Sequence, residues 1–347
     1  MRSKVVIFGA NGFIGHHLIR RLLSCKEYEV HGIDLSLDRL NEFADQEGFR
    51  ASVMDIEAGI GPVLEAIESA DIVIPLVAIA NPLSYVRQPL RVFELDFEAN
   101  LPIVRGCAQF GKFLLFPSTS EVYGMSQDKD FNPDDSNLVM GPIHKQRWIY
   151  ATCKQLMDRV IYALGYEQEL NYAIFRPFNW FGTGLDSIDT PREGGSRVVT
   201  NFLGSLLRGE DLILVNGGTQ RRSFTYIDDG IDALVRILEN RGGLANRQIF
   251  NIGNPNNDYT IRELAEMMID IATPTLSFHW KSSPPNLQIE SEDNFYGIGY
   301  QDINHRRPNI DKTTRLLGWH PKIDMRDGLR RVVSHYASEM TSGHRIK

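Results

Sequence analysis

Short apolar runs of strand length alternate with longer, helix-periodic stretches through the first half of the chain. The runs that predict strands are KVVIFGA, YEVHGID, FRASVMD, DIVIPLV, KFLLFPS and LNYAIFRP. This alternation is typical of strands joined by crossover helices in a parallel sheet. The sequence therefore predicts an α/β fold with a doubly wound parallel sheet and a smaller C-terminal domain.

The character of the sequence changes after Pro177. The segment FNWFGTGLDSIDTPREGGS is rich in Gly, Asp and Ser, which predicts a long functional loop. Beyond it we predict a helix from about Arg197 to Leu207, a strand at LILV, and a helix at IRELAEMMIDIA that a Thr260–Glu263 capping box opens. The expected domains are 1–178, to which 224–252 returns, and a second domain of 179–223 with 253–347.

Composition and charge exclude several classes of protein. The 347 residues are 42% hydrophobic with a formal net charge of -7, which argues against general affinity for nucleic acid or anionic membranes. The chain has no apolar run long enough to span a membrane and begins directly with a strand, so we expect a cytoplasmic protein. Cys25, Cys107 and Cys153 lie far apart and predict free thiols, with neither a disulfide framework nor a metal site.

A glycine-rich turn lies between the first predicted strand and the helix after it. In VVIFGANGFIGHHLIRRLL, Gly9, Gly12 and Gly15 let the backbone approach a pyrophosphate, which the helix N-terminus then stabilises. A turn that only packs the helix is the alternative. The strand before it and the helix after it favour a Rossmann-type dinucleotide site.

An acidic residue, Asp34, ends the second predicted strand. A carboxylate about twenty residues after the glycine turn can bind the adenosine ribose diol and would repel the extra phosphate of NADP, which favours NAD. Asp55, at the end of the third strand, is a weaker candidate for the adenine end. The predicted NAD site comprises Asp34, Asp55 and the following residues: Gly9, Asn11, Gly12, Phe13, Ile14, Gly15 and Ile56.

A tyrosine and a lysine stand four residues apart in RWIYATCKQLMDRVIYAL. On a helix this spacing puts Tyr150 and Lys154 on one face, where the ammonium lowers the pKa of the phenol and makes it a base. The alternative is an exposed tyrosine beside a solvated lysine. The dinucleotide turn upstream and the hydroxyls of Ser118, Thr119 and Ser120 at a strand end favour a catalytic pair that also contacts the cofactor.

The motifs GANGFIG, STSEVYG, YATCK, FRPFNWFG and RRSFTYIDD resemble, in order and spacing, the extended short-chain dehydrogenase/reductases that act on nucleotide sugars. GPIHKQRWIYATCKQ, PLRVFELDFEANLP and GYQDINHRRP are most similar to the UDP-glucuronic acid decarboxylase portion of the bifunctional polymyxin-resistance enzyme, and also to UDP-apiose/UDP-xylose synthase. The resemblance implies NAD as cofactor, a UDP-sugar substrate and a homodimer formed through the helices that contain Phe97 and Tyr150.

The strand end distinguishes the branches of this family. Thr119 is followed by Ser120 and Glu121, as in the UDP-glucuronate decarboxylases. The 4,6-dehydratases typically have Asp-Glu after the Thr, and the 4-epimerases usually lack the Glu. Apiose synthases tend to have Cys where Ser120 stands, which disfavours ring contraction here.

The resemblance also implies where the UDP-sugar binds in the second domain. An acidic protein needs arginines to hold a diphosphate, because guanidinium groups neutralise and orient it. Arg306 matches the arginine that decarboxylating relatives place near the sugar carboxylate, although it could instead pair with a loop acid. The other predicted substrate-binding residues are Tyr85, Asn179, Arg197, Gln220, Arg222 and Tyr300.

The expected reaction is oxidation of UDP-glucuronic acid at C4 followed by loss of carbon dioxide. The product is the UDP-4-keto-pentose released with NADH, or UDP-xylose after reduction. The alternatives are a UDP-apiose/UDP-xylose synthase and a non-catalytic NAD-binding regulator, since a fold does not fix a function. The residues predicted to act in catalysis are Thr119, Ser120, Glu121, Tyr150, Lys154 and Arg306.

Overall fold

The computed structural model describes residues 2–188, 195–277, 280 and 284–341, so part of the predicted loop, 189–194, lies outside the described residues. Its strands are β1 (Ser3–Phe8), β2 (Tyr28–Asp34), β3 (Phe49–Val53), β4 (Ile72–Pro75), β5 (Phe113–Pro117), β6 (Tyr172–Pro177), β7 (Trp180–Phe181), β8 (Leu212–Val215), β9 (Arg221–Ser223), β10 (Thr225–Tyr226), β11 (Gln248–Ile252), β12 (Asp258–Thr260), β13 (Leu287–Glu290) and β14 (His305–Arg306).

The α-helices among the described residues are α1 (Phe13–Cys25), α2 (Ile60–Glu68), α3 (Pro82–Arg87), α4 (Pro89–Phe93), α5 (Leu101–Gln109), α6 (Trp148–Glu167), α7 (Val198–Arg208), α8 (Ile227–Glu239), α9 (Ile261–Leu276), α10 (Glu292–Phe295), α11 (Asp311–Leu317) and α12 (Met325–Thr341). The predicted helices after the loop are confirmed as α7 and α9, and the Thr260–Glu263 capping box is present. None of these described helices combines the length and apolar composition needed to cross a membrane.

Within the described part of the chain, the main sheet has seven strands in the order β11-β6-β5-β4-β1-β2-β3, and all of them are parallel. The strand order reverses between β1 and β4, which opens a crevice at the carboxyl ends of these strands. This confirms the predicted doubly wound parallel sheet. The late segment 248–252 supplies β11 at the side of β6.

Both faces of the sheet are buried. Val5 and Ile7 of β1 pack into one hydrophobic cluster, with residues of α1 and α8. Val6 and Phe8 pack into a second cluster, with residues of α2, α5 and α6. Because side chains alternate along a strand, a strand covered on both faces is apolar at successive positions, which explains the uninterrupted runs in the sequence.

The helical stretch after Pro89 is not a single regular helix. It divides into α4, a π-helical turn at Glu94–Glu98, and α5. The side chain of Asn100 donates hydrogen bonds to the carbonyls of Leu95 and Val77, at 2.8 Å and 3.0 Å. The bond to Leu95 occupies a carbonyl of the irregular turn, and the bond to Val77 ties the turn to the segment after β4. Asp96 of the turn is buried.

Two arginines from distant parts of the sequence meet in a small second sheet. β9 pairs with β12 in antiparallel and with β14 in parallel orientation. The register of β9 and β14 places Arg222 opposite Arg306. The pairing therefore brings together two residues that are separated by more than eighty positions in the chain, as their sequence numbers show.

A buried polar network fixes the carboxyl edge of the main sheet. Asp158 Oδ2, on α6, accepts hydrogen bonds from Ser118 Oγ at 2.8 Å and from Arg176 Nη2 at 3.0 Å. Arg176 Nη1 donates to the Tyr123 hydroxyl at 3.0 Å, which in turn donates to Asn251 Oδ1 at 2.7 Å. The Ser118 hydroxyl therefore makes a buried hydrogen bond to α6.

Replacing Arg176 by Met should destabilise the fold strongly. The change leaves the Asp158 carboxylate buried beside an apolar side chain, which should lower the free energy of unfolding by about 3–5 kcal/mol. Urea denaturation followed by circular dichroism measures the effect. The control is Arg326→Met, which removes the exposed ion pair with Asp270 and should change stability by less than about 1 kcal/mol. Equal effects of the two substitutions would contradict the prediction.

Candidate active site

The glycine-rich turn after β1 has the tight geometry of a dinucleotide turn. Gly9 has a φ of +79°, and a Cβ atom there would lie 2.8 Å from the backbone nitrogen of Val77. A Cβ on Gly15 would lie 2.6 Å from the carbonyl oxygen of Ala10. Both contacts exclude a side chain, so the turn packs closely against the segment after β4 and the start of α1 only with glycine at these positions.

The N-terminus of α1 is suited to an anion. Its N-cap is Gly12, no side chain caps the helix, and its first turn contains no acidic residue. The first N–H groups of a helix have no partner within the helix, and together with the dipole they favour a phosphate. These residues fit the pyrophosphate of a dinucleotide.

Asp34 is held beside this turn by two backbone groups. Its Oδ2 accepts a hydrogen bond from Asn11 N at 2.8 Å, and its Oδ1 accepts one from Leu35 N at 2.7 Å. Asn11 Oδ1 accepts from Arg39 N at 2.9 Å, which ties the turn to the segment after β2. The carboxylate therefore has a fixed position next to the glycine turn, as its predicted role requires.

The remaining residues of the predicted cofactor site lie on the same edge of the sheet or near it. Asp55 follows β3, and its Oδ1 accepts a hydrogen bond from Glu57 N at 2.9 Å. Ile56 packs partly buried against the core beside β4. Phe13 is buried at the start of α1, and Ile14 packs against the same cluster.

Tyr150 lies buried on α6 in an aromatic and polar environment. Its ring stacks on that of Tyr85, with the ring centres 4.6 Å apart and the planes at 6°. Burial raises the pKa of the Tyr150 phenol, the charges of Asp96 and Glu121 raise it further, and a hydrogen bond with the Thr119 side chain opposes the rise. The phenol therefore needs a nearby positive charge to act as a base.

Lys154 lies buried one turn further along α6 and is the predicted source of such a charge. Its ammonium nitrogen lies 3.9 Å from Asp96 Oδ1 and 5.1 Å from the centre of the Phe116 ring. Burial lowers the pKa of Lys154, and the charge of Asp96 opposes that change. Both members of the predicted pair are buried, so the alternative of an exposed tyrosine beside a solvated lysine is wrong.

Glu121 bridges two buried arginines. Its Oε2 accepts a hydrogen bond from Arg147 Nη1 at 2.8 Å, and its Oε1 lies 3.2 Å from Arg306 Nη1. Arg306 Nη2 also donates to Asn179 Oδ1 at 2.9 Å. Burial alone would raise the pKa of Glu121, but Arg147 and Arg306 outweigh it and hold the pKa below its usual value. Glu121 is therefore an anion between two cations.

A single cleft contains the predicted substrate-binding residues. Arg222 forms an ion pair with Asp302, and Arg197 forms one with Asp186 at 2.7 Å. Tyr300 is buried and stacks on Tyr296 with ring centres 4.0 Å apart. The residues from the sequence prediction that line this cleft are Tyr85, Glu121, Asn179, Arg197, Gln220, Arg222, Tyr300 and Arg306.

The remaining predicted catalytic residues stand next to this cleft. Tyr150 contacts its wall through the stack on Tyr85. Thr119 and Ser120 are buried at the start of the short 3-10 turn Ser120–Tyr123. Thr119 Oγ1 also accepts a hydrogen bond from Glu121 N at 3.2 Å, so the strand end and the acid are linked.

Sequence reasoning missed two charged residues of the site. Arg147 lies three positions before Tyr150, a spacing of about one helical turn that could have identified it. Asp96 faces Lys154 because of the π-helical turn, and a regular helical pattern does not predict that direction.

This fold and this site define an NAD-binding enzyme of the short-chain dehydrogenase/reductase type. Residues 5–253 match the model of the NAD dependent epimerase/dehydratase family. The chain belongs to this family, and NAD is its cofactor.

Solved structures extend the likeness over the whole chain. The chain is 49% identical to the PbgP3 protein from Burkholderia pseudomallei, with a TM-score of 0.88, covering 99% of this chain and 98% of that one. A mutant UDP-glucuronic acid 4-epimerase from Bacillus cereus, in complex with a UDP-sugar and NAD, is 21% identical (TM-score 0.78; 97% and 99% covered). The dTDP-glucose 4,6-dehydratase from Bacillus anthracis, in complex with NAD, is 16% identical (TM-score 0.78; 98% of each covered). The last two similarities show the fold alone.

The Asp34 carboxylate should make the chain prefer NAD to NADP. We expect NADP to bind at least about tenfold more weakly than NAD, because its extra phosphate would approach a fixed anion. Calorimetry measures the affinities for both cofactors. Asp34→Asn should reduce the difference between the affinity for NAD and the affinity for NADP. Asp38→Asn, on the exposed part of the same segment, is the control and should leave it unchanged. Comparable turnover with NAD and NADP would overturn the assignment.

Proposed function

We propose that this enzyme carries out NAD-dependent oxidative decarboxylation of UDP-glucuronic acid to the UDP-4-keto-pentose, with or without reduction to UDP-xylose. The observation that most supports the proposal is the Glu121 bridge between Arg147 and Arg306 in the cleft beside Tyr150. The likeness to PbgP3 supports the resemblance to the polymyxin-resistance enzyme. UDP-sugars bound to structural neighbours support a UDP-sugar ligand.

The charges of the cleft favour an acidic sugar. Among the described residues that are buried on its wall, the arginines at positions 147, 222 and 306 face two carboxylates, Glu121 and Asp302. An uncompensated buried cation is costly, and a ligand anion that pairs with it recovers part of that cost. A guanidinium also orients a carboxylate through paired hydrogen bonds. We infer that the sugar carboxylate binds near Arg306.

Tyr150 performs the first proton transfer in the proposed reaction. As a phenolate, stabilised by the Lys154 ammonium, it takes the proton of the C4 hydroxyl. Bound NAD supplies the chemistry of hydride acceptance at C4, which turns this alcohol into a ketone. Thr119, hydrogen-bonded to Tyr150, holds the oxygen that changes from hydroxyl to carbonyl.

Carbon dioxide is then lost from the β-keto acid. The bond between C5 and the carboxylate breaks, and its electron pair moves into the ketone to form an enolate. Tyr150 and the strand-end hydroxyls donate hydrogen bonds to the developing oxyanion, and C5 then takes a proton from water as the enolate returns to the ketone. Arg306 orients the carboxylate before it leaves, while Glu121 keeps that guanidinium from binding the carboxylate more tightly than the transition state.

The organisation of the chain and its assembly are part of the proposal. We propose that 1–178 and 224–252 form the NAD-binding domain and that 179–223 and 253–347 bind the UDP-sugar. We also propose a homodimer, which exposed apolar side chains on α4 and α6 support: Leu90, Leu156 and Tyr162. The cytoplasmic location stays a prediction from the sequence.

The decisive experiment mixes the protein with NAD and UDP-glucuronic acid. We expect release of carbon dioxide and a UDP-pentose identified by NMR; NADH absorbance accumulates if the 4-keto-pentose is released and does not if it is reduced to UDP-xylose. A branched-chain sugar in the product would instead identify a UDP-apiose/UDP-xylose synthase, and unchanged substrate would favour a regulator. Tyr150→Phe lacks the proton acceptor and should lower the rate at least about 100-fold with cofactor and UDP-sugar binding nearly unchanged. Turnover by this variant near the wild-type rate would require another base.

Arg306→Met and Glu121→Gln should impair decarboxylation selectively. Each removes one side of the ion pair that orients the substrate carboxylate, so we expect carbon dioxide release to fall about 100-fold while NAD affinity stays within about twofold. The matched control is Arg307→Met, which removes a neighbouring guanidinium that pairs with Asp130 away from Glu121. Wild-type rates of carbon dioxide release in both site variants would show that this placement of the chemistry is wrong.

A further inference from the structure

A forked ion pair links α4 to the segment that follows β3. Arg91 lies on α4, and its Nη1 and Nη2 atoms donate hydrogen bonds to Glu57 Oε1 and Oε2 at 2.6 Å and 2.5 Å. Glu57 stands 34 positions earlier in the chain. Two parallel hydrogen bonds between a guanidinium and a carboxylate fix the direction of both side chains as well as their distance.

Glu57 belongs to the turn that contains the residues predicted at the adenine end of NAD. Its backbone N–H donates to Asp55 Oδ1 at 2.9 Å, and Ala58 N donates to the carbonyl of Asp55 at 3.2 Å. Met54 N donates to the carbonyl of Asp34 at 3.0 Å. The turn 54–58 is therefore bonded to the end of β2 on one side and to α4 on the other.

The fork also joins the two sides of the crevice in the main sheet. The strand order reverses between β1 and β4, and a dinucleotide binds in the crevice at such a reversal. β3 lies on the β1 side, whereas β4, from which the chain continues to α3 and α4, lies on the other side. Because Glu57 follows β3 and Arg91 follows β4, their ion pair connects the segments on either side of the cofactor site.

α4 is the firmer of the two partners. Val92 of this helix is buried and packs in one cluster with Tyr150. The turn 54–58 is held less firmly, because Asp55 and Glu57 are exposed and its apolar side chains are only partly buried. The position of this turn therefore depends on the fork, and the position of α4 does not.

The geometry of the fork sets it apart from an ordinary surface ion pair. Exposed ion pairs commonly contribute little, but a bidentate arginine–carboxylate pair is the exception. The hydrogen bonds from Arg91 hold the pKa of the Glu57 carboxyl below its usual value, so this acid is an anion at neutral pH. Arg91 Nη1 also lies 3.7 Å from Glu94 Oε2, which is a longer contact than either bond to Glu57.

We propose that the Glu57–Arg91 pair is a clasp for the adenine end of NAD: it holds the turn 54–58 against α4 and so positions Asp55 and Ile56 for the adenosine. Arg91 and Glu57 are positioning residues, because they act through this turn. The inference rests on the predicted place of Asp55 and Ile56 at the adenine end and does not depend on which sugar is the substrate.

The first test is the affinity for NAD without substrate, measured by calorimetry. Arg91→Met opens the clasp and should weaken NAD binding about fivefold. ADP-ribose, which has the adenine end and lacks the nicotinamide, should bind more weakly by the same factor, while the affinity for UDP stays within about twofold. The matched control is Arg330→Met, which removes an exposed ion pair with Asp327 on α12 and should change none of these affinities.

Three results of this test would overturn the proposal. The first is an NAD affinity of Arg91→Met that equals that of the wild type. The second is an equal loss in Arg330→Met, because the effect would then come from net charge alone. The third is a loss of NAD affinity without a loss of ADP-ribose affinity, since the clasp would then not act on the adenine end.

A double-mutant cycle tests whether the two residues act as one unit. Glu57→Ala and the double variant Glu57→Ala/Arg91→Met should bind NAD as weakly as Arg91→Met, because removal of either partner opens the clasp. Losses that add in the double variant would show two independent effects and would contradict the proposal. A change of elution volume in gel filtration that accompanied the loss of NAD affinity would also contradict it, because Arg91 would then act through assembly.

Asp55→Ala separates the clasp from the assignment of the adenine end. This variant removes a predicted contact with the cofactor and should weaken NAD binding even though Arg91 and Glu57 are intact. Weaker binding in Asp55→Ala but not in Arg91→Met would show that the adenine end is placed correctly and that the clasp is wrong. Unchanged affinity in both variants would show that both are wrong.

Discussion

The Asp158–Arg176 ion pair fixes α6, the helix that contains the proposed catalytic pair. Tyr150, Lys154 and Asp158 follow one another at intervals of four residues on α6 and so share one face of the helix. Asp158 is bonded both to Arg176 of β6 and to Ser118 at the end of β5. Because these bonds leave little freedom for the helix to rotate or slide, the two residues on the preceding turns are held against the same sheet edge. The positions of the two proposed catalytic side chains therefore depend on groups that lie outside the cleft.

In the cleft, the buried arginines outnumber the carboxylates that pair with them. Glu121 uses both oxygens on arginines, one on Arg147 and one on Arg306, and all three side chains are largely removed from water. A ligand carboxylate that approaches Arg306 therefore competes with Glu121, which keeps its bond to Arg147 throughout. Such an exchange costs little free energy, because the ligand carboxylate replaces the Glu121 carboxylate at the same guanidinium. A neutral sugar would offer no such replacement.

The main features of the fold were predictable because they are local. Strands that are buried on both faces appear in the sequence as apolar runs. The turn after β1 has no room for a side chain at Gly9 or Gly15, so it appears as a glycine motif. The direction of Asp96 was not predictable, because one π-helical turn breaks the helical period. The hydrogen bond of Ser118 was not predictable either. Its hydroxyl donates to Asp158, forty positions away, and a serine at a strand end is an ordinary turn residue that does not indicate such a contact.

The substrate side of the site depends on pairings between strands that are too short to be read from the sequence. β9 and β14 contain three and two residues, yet their register places Arg222 opposite Arg306. Two like charges side by side repel each other, and the structure compensates by giving each its own acid, Asp302 and Glu121. These acids come from different segments, one from the end of the main sheet and one from the loop before β14. The cationic wall of the cleft can therefore form only when both parts of the chain are folded against each other, which couples substrate recognition to the complete fold.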